Sequence, residues 1–279
     1  MSYKTIATVF RSEHIDTDHL KFAADMTEKM DGHLDVLALG TDRIQPGAYY
    51  AGAAAIAVRN AMEEAVQEAH RAEDAADRIL ETSGIRFEVT RAVAQVGGIP
   101  QIVGRRLGVS DLVILPKPYG EDRNAEDVAI LEAALFATRV PVLVLPPELT
   151  SYDVPSRVVV AWNQSDEAMQ AIRSAMPFLM AADSVDIAII DPPEHDPDRS
   201  DPGGLLAGML SRHGVRAEIS IIARTLPRVS DVLCRHVQDR SAGMVVMGAY
   251  GHSRFLEEIL GGATRNMLAE SEVPVLMAH

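Results

Sequence analysis

Near its carboxyl terminus the chain reads Gly243-Met-Val-Val-Met-Gly-Ala-Tyr-Gly251, and after nine more residues Gly261-Gly262 opens the segment Ala263-Thr-Arg-Asn-Met-Leu-Ala269. The apolar residues predict a buried strand, and the glycines at its end have no Cβ and leave room for a ligand. A glycine pair at the start of a helix exposes N–H groups at the positive end of the helix dipole. Because ligands bind at this end of the strands in an open α/β sheet, the stretch predicts a phosphate site made of main-chain donors.

The same pattern occurs twice in the chain. Ser110-Asp-Leu-Val-Ile-Leu115 resembles Ala242-Gly-Met-Val-Val-Met247, and each stretch is followed after about 25 residues by a Val-Pro-Val-Leu run. These runs are Val140-Pro-Val-Leu143 and Val273-Pro-Val-Leu276. Pairing at such long range indicates a duplicated unit.

The proline-containing stretch at 146–155 has the composition of a linker, so we expect one domain at 1–150 and another at 154–279. Short apolar strands alternate with helices in both, which predicts parallel sheets covered on both faces and connected by right-handed crossovers. The predicted fold class is therefore α/β, with two tandem doubly wound five-stranded parallel-sheet domains. The predicted strands are 4–10, 33–40, 85–93, 111–116, 141–146, 157–162, 184–191, 216–222, 243–248 and 274–278. The predicted helices are 17–31, 50–83, 99–107, 124–138, 166–181, 203–213, 227–239 and 262–270. His19, near the start of the first of these helices, is expected at the surface.

The length and composition of the chain narrow its class. The 279 residues suggest about two domains, and 47% hydrophobic with 24% charged residues is normal for a soluble globular protein. Acidic residues outnumber basic ones by 40 to 26, which gives a formal net charge of −14. An acidic surface repels nucleic-acid backbones and anionic membranes, so we expect neither as a partner.

The location of the protein is predicted from signals that the sequence lacks. It contains no apolar run of the roughly 18 residues that span a bilayer, and no secretory signal at its start. The single cysteine, Cys234, cannot form an internal disulfide, which fits a reducing compartment. We therefore expect a cytoplasmic protein, with Cys234 packed as a small hydrophobic residue.

The spacing Gly248-x2-Gly251-x9-Gly261 resembles the ATP-binding signature of the universal stress protein family, and the Val-Pro-Val-Leu endings are typical of that family. The two copies cover nearly the whole chain, so the resemblance implies two tandem domains of this family. It implies an adenine-nucleotide alpha hydrolase-like fold, which is a Rossmann-like sandwich. ATP is the implied ligand, with ADP or AMP as alternatives, and Mg²⁺ could accompany the phosphates.

The resemblance also implies where the ligand lies in the second copy. The end of the first strand would contact the ribose and base, Ile190 would offer main-chain groups to the adenine, and the glycines would hold the phosphates. The implied ligand-binding residues are Ala161, Trp162, Asn163, Ile190, Gly248, Gly251, His252, Gly261, Gly262, Ala263 and Thr264.

Two positions depart from the family pattern. Gly262 stands where Ser or Thr is usual, so a hydroxyl to the phosphates is lost, although Thr264 could partly replace it. Asn163 stands where Asp is common, which removes a charge and a metal or ribose contact. These departures keep a second function open, a nucleotide-free interaction scaffold of the same fold.

Few residues in the sequence suggest catalysis. No phosphate-loop lysine, nucleophile elbow or zinc spacing is present, and His252 is the one candidate base beside the glycine loop. His195 and its neighbouring aspartates are more simply a polar loop than metal ligands. We expect a sensor or regulator with an unidentified protein partner and at most slow ATP hydrolysis or autophosphorylation. The Val-Pro-Val-Leu strands suggest a pseudo-dimer within the chain or a homodimer.

The first copy is expected to lack the phosphate site. Pro116 and Pro118 have no N–H where the site needs donors, and the segment 126–132 carries carboxylates that repel phosphate. An alternative is that Lys117 binds some other anion there.

Overall fold

The computed structural model of the chain describes residues 2–11, 13–43, 53–192, 201–249 and 262–279. Their contacts divide the chain into two compact units. What we call the first unit contains Tyr3–Val140 and Pro147–Tyr152, and the second unit consists mainly of Pro141–Pro146 and Asp153–His279. No helix in the described part of the chain is long and apolar enough to cross a bilayer.

The first unit is a parallel sheet with helices between its strands. Its strands lie in the order β3-β2-β1-β4, and every pair is parallel. The strands are β1 (Thr5–Phe10), β2 (His33–Asp42), β3 (Arg86–Gln95) and β4 (Leu112–Pro116). The helices are α1 (Glu13–Lys29), α2 (Ala53–Leu80), α3 (Ile99–Leu107) and α4 (Ala125–Thr138).

The second unit contains a sheet of the same kind with one further strand. The order is β5-β10-β9-β6-β7-β8, in which only the β5–β10 pair is antiparallel. The strands are β5 (Val142–Leu145), β6 (Arg157–Ala161), β7 (Ser184–Ile190), β8 (Ala217–Ile222), β9 (Met244–Gly248) and β10 (Val275–Ala278). The helices are α5 (Asp166–Ser174), α6 (Met176–Ala181), α7 (Gly204–Arg212), α8 (Val229–Asp239) and α9 (Gly262–Glu270).

The α/β fold predicted from the alternating pattern is confirmed, and its sheets are mostly parallel. The antiparallel β5–β10 pair departs from the all-parallel prediction. In this pair Leu143 lies opposite Leu276, which is the equivalent residue of the other copy. Two antiparallel strands are related by a local twofold axis. The equivalent apolar strands β5 and β10 therefore pair with each other through equivalent edges.

Two local predictions need correction. The helix predicted at 166–181 is divided into α5 and α6 at Ala175, because Pro177 has no N–H to continue the α5 ladder and is tolerated only in the first turn of a helix. The stretch predicted as a linker is partly packed. Tyr152 is buried in the first unit, where its N–H donates to Asp25 Oδ2 at 2.6 Å.

His19 is buried, although the sequence suggested a surface position. Helix α1 begins at residue 13, earlier than predicted, and this places His19 on its inner face. Nε2 lies 3.1 Å from Thr8 Oγ1 and 3.2 Å from the Val9 carbonyl oxygen, and Nδ1 has no hydrogen-bond partner among the described residues. Burial lowers the pKa of His19, which the nearby Asp16 only partly opposes.

This lowered pKa predicts acid sensitivity of the first unit. As pH falls through about 6.5, the unfolded chain binds a proton at His19 that the native state does not bind, so stability is lost toward low pH. His19→Gln should reduce the loss between about pH 7.5 and about pH 5 by up to about 2 kcal/mol. Urea unfolding at both pH values measures it, with His70→Gln, at a ring 44% exposed, as the control. An unchanged pH dependence in His19→Gln would show that another group is responsible.

Candidate functional site

A cavity of about 410 Å³ lies in the second unit, where the carboxyl ends of β6, β7 and β9 meet the amino ends of α8 and α9. Its volume falls in the range of about 300–1,000 Å³ that is typical of small-molecule sites. The cavity lies at the sheet edge where the sequence placed a ligand. Eight of the residues implied by the resemblance line it: Ala161, Trp162, Asn163, Ile190, Gly248, Gly262, Ala263 and Thr264.

The remaining candidates are not part of the described structure. Gly251, His252 and Gly261 lie outside the described residues, as does His195 with the acidic segment around it. The described wall of the cavity consists of residues on either side of the glycine loop.

Helix α8 contributes residues that the sequence analysis missed. Val229, Ser230 and Leu233 line the cavity from its first turns. The signal for them was available, because in a parallel sheet the helix after each strand begins at the same edge at which the strand ends. Applied to the third strand of the second copy, this rule brings the start of α8 to the site.

Much of the cavity wall is apolar. Ala188 and Ile190 contribute from β7, Met247 from β9 and Met267 from α9. Met267 also contacts the half-buried Cys234, with 3.6 Å between the two sulfur atoms. Such a surface suits a flat ring, since methionine side chains adapt their shape and contact aromatic groups well.

Two hydroxyl groups in the wall lie near helix starts. Ser230 is the second residue of α8 and is 2% exposed, and Thr264 is the third residue of α9 and is 4% exposed. The Thr264 hydroxyl makes no hydrogen bond to another described residue. No side chain caps the start of α8 at Arg228. Hydroxyls and free N–H groups at helix starts are suited to binding anionic oxygen atoms.

A tight turn between β6 and α5 fixes Asn163. Its Oδ1 accepts a hydrogen bond from Ser165 N–H at 3.2 Å, and Ser165 Oγ in turn accepts from Ala168 N–H at 3.2 Å. Gln164 between them has φ 62°, in the left-handed region. The turn therefore caps the start of α5 and holds Asn163 at the cavity wall.

Gly248 is needed for packing rather than for ligand approach, which differs from the reason that the sequence suggested. A Cβ at this position would lie 2.5 Å from the Ala168 nitrogen and 2.7 Å from the Glu167 carbonyl carbon, both in the first turn of α5. A Cβ at Gly262 would meet no atom within 4 Å. Gly248 thus lets α5 pack onto the end of β9, and Gly262 leaves free space beside the cavity.

The second unit is similar to a known protein family. Residues 155–279 match the Universal stress protein family. The matched region contains the whole described lining of the cavity. The first copy lies outside this match.

Similarities to other proteins extend across both halves of the chain. A universal stress protein of Synechocystis sp. is 22% identical over 204 residues, which are 72% of this chain and 68% of that protein. The crystal structure of a universal stress protein from Archaeoglobus fulgidus has a TM-score of 0.73 at 16% identity, covering 98% of this chain and 95% of that one. A functionally unknown protein from Pseudomonas aeruginosa gives a TM-score of 0.61 at 14% identity, covering 99% and 92%. At these identities the structures show a shared fold.

A much smaller cavity lies at the equivalent place in the first unit. Between the described residues it has a volume of about 10 Å³, and its lining includes Arg11, Pro116 and Asp127. A space of this size holds about one water molecule. Counted from the strand pairs Ile6–Leu112 and Val158–Met244, Arg11 has the position that Asn163 has in the second unit.

A buried ion cluster occupies this space. The Arg11 guanidinium lies 3.0 Å from Glu126 Oε2 and 2.5 Å from Asp127 Oδ1, and all three side chains are less than 9% exposed. Arg123 bridges Asp127 at 3.1 Å and Asp16 at 3.0 Å, and Arg43 lies 2.6 Å from Glu126. The carboxylates that the sequence suggested would repel phosphate here neutralise arginines of the same unit. Anion binding by Lys117 stays a hypothesis.

Proposed function

We propose that the second unit binds an adenine nucleotide in the cavity at the ends of β6, β7 and β9. ATP is the first candidate, and ADP and AMP are the others. The observation that supports this proposal most is the contrast between the units. The second unit has a ligand-sized cavity of about 410 Å³, whereas the cavity between the described residues at the same place in the first unit measures about 10 Å³.

The chemistry of the wall fits the two parts of a nucleotide. The base would lie against the apolar surface of Ala188, Ile190 and Met247, and the phosphates would lie near the hydroxyls of Ser230 and Thr264. The start of α9 adds main-chain donors and the positive end of a helix dipole on the phosphate side.

Regulation in the cytoplasm is the role that we propose for this binding. The match of residues 155–279 to the universal stress protein family supports a part in a stress response. The described lining offers hydroxyls and one amide but no acid–base pair, which favours a sensor over an enzyme with rapid turnover. The proposed partners are the nucleotide and an unidentified protein, and dimerisation through the Val-Pro-Val-Leu strands stays a prediction.

Direct identification of the ligand tests the proposal. The purified protein would be denatured, and the released small molecules would be identified and quantified by mass spectrometry. We expect about one adenine nucleotide per chain, and added nucleotide should raise the melting temperature of protein freed of ligand. An empty protein that ATP, ADP and AMP all fail to stabilise would favour the alternative function, a nucleotide-free scaffold.

A cavity-filling variant then tests where the nucleotide binds. Ala161→Leu places extra atoms at the cavity wall, on the last residue of β6. We expect nucleotide affinity to fall by at least about tenfold, which corresponds to about 1.4 kcal/mol. Calorimetric titration measures the effect, with Ala181→Leu at the exposed end of α6 as the matched control. Equal affinities of the two variants would place the nucleotide elsewhere.

A further inference from the structure

We infer that this cavity binds the phosphates of its ligand through hydrogen-bond donors alone, without Mg²⁺ or another divalent cation. This inference rests on the proposed function. It adds that the nucleotide is bound in its metal-free form. The residues that carry it are Asn163, Ser165 and Thr264.

The orientation of the Asn163 amide is set by the turn that it closes. The main-chain N–H of Ser165 donates at 3.2 Å, and only the oxygen of the amide can accept it. The nitrogen Nδ2, with two N–H donors, is then the remaining polar atom of the side chain. Nδ2 has no partner within the described ranges of the chain, and Asn163 lines the cavity. Asn163 therefore presents the two N–H donors of Nδ2 to a ligand.

Two hydroxyl groups also belong to the described wall, beside the starts of α8 and α9, where main-chain N–H groups and the helix dipoles favour negative charge. Ser230 Oγ already donates to Asp231 Oδ1 at 3.4 Å, whereas the Thr264 hydroxyl has no hydrogen-bond partner among the described residues and can donate to a ligand. No carboxylate or imidazole is among the described residues of the wall. Asp166 and Glu167 follow in the first turn of α5, but neither lines the cavity.

This set of donors does not fit a divalent cation. Mg²⁺ bound with a nucleotide is usually held by one or two protein carboxylates in addition to phosphate oxygens and water. Here a cation on the phosphates would face the N–H donors of Asn163 and the positive dipole ends of two helices, which repel positive charge. Phosphate oxygens without a cation accept hydrogen bonds from these groups directly.

The experiment measures binding of ATP to the full chain by calorimetry, once with EDTA and once with excess MgCl₂. We expect ATP to bind at least as tightly in EDTA as in MgCl₂. In Asn163→Asp a carboxylate oxygen accepts the same Ser165 N–H, so the turn is kept, while the second oxygen adds a negative charge to the wall. Affinity for ATP in EDTA should then fall by at least about tenfold, and MgCl₂ should restore part of it.

A matched control separates the effect of a charge at the cavity wall from the effect of the total charge of the protein. Gln170→Glu adds the same charge on the exposed side of α5, outside the cavity wall, and should leave affinity for ATP unchanged. Wild-type binding that requires MgCl₂, or an Asn163→Asp variant that binds ATP in EDTA like the wild type, would overturn the inference. Both results leave the proposed function intact. Absence of ATP, ADP and AMP binding under either condition would instead reject the proposed function.

Discussion

Arg11→Met is expected to lower the free energy of unfolding of the first unit by about 3 kcal/mol, the cost typical of breaking a buried ion pair from one side. The guanidinium of Arg11 neutralises Glu126 and Asp127 where all three side chains are buried. Methionine keeps much of the side-chain length but leaves two buried carboxylates with fewer positive partners. Urea unfolding followed by circular dichroism measures the change, which should appear as an earlier transition of this unit.

Two further variants identify the cause of that loss. Arg43→Met removes a partner of Glu126 that is half exposed, so it should cost only about 1 kcal/mol or less. Adding Glu126→Gln to Arg11→Met removes the charge of a buried carboxylate that has lost Arg11 and keeps only the half-exposed Arg43, and should recover part of the stability. If Arg11→Met unfolds like the wild type, the cluster contributes little to the stability of the first unit.

Gly248→Ala is expected to weaken nucleotide binding by at least about tenfold and to destabilise the second unit by about 1–3 kcal/mol. The new Cβ would lie 2.5 Å from the Ala168 nitrogen, which is main chain and cannot rotate away. Helix α5 must therefore move, and the turn that holds Asn163 moves with it. Calorimetry with ATP and thermal unfolding report the two effects separately.

Gly262→Ala is the matched control for that variant. Gly262 also lines the cavity, but an added Cβ there meets no atom within 4 Å, and the main-chain N–H is kept. Binding should therefore stay close to that of the wild type. Strong binding by Gly248→Ala, or equal losses in both variants, would show that packing of α5 on β9 does not control the site.

The sequence alone was sufficient for the order of elements and for one edge of the site. Apolar runs such as 244–248 predict buried strands, and glycines at their ends predict where the chain turns at the ligand edge. Asn163, Gly248 and Thr264 are far apart in sequence, yet each adjoins the end of a strand or the start of a helix. Because parallel strands share one carboxyl edge, these local patterns are enough to bring such residues together.

Long-range partners could not be predicted in this way. Arg11 and Glu126 are separated by 115 positions, and no local pattern indicates that they pair. His19 seemed exposed because its burial depends on where α1 begins and on what packs against it. The role of Gly248 depends on its distance to Ala168, which only the packed structure provides.

The pairing of β5 with β10 affects how the chain can be divided. A fragment of residues 154–279 keeps the whole described cavity lining but lacks Val142–Leu145, which cover one edge of β10. That edge would then present unpaired N–H and C=O groups, which are a template for strand addition by another molecule. Its four residues are apolar and buried in the full chain, so self-association would compete with folding. A shortened protein for ligand studies should therefore begin before Pro141.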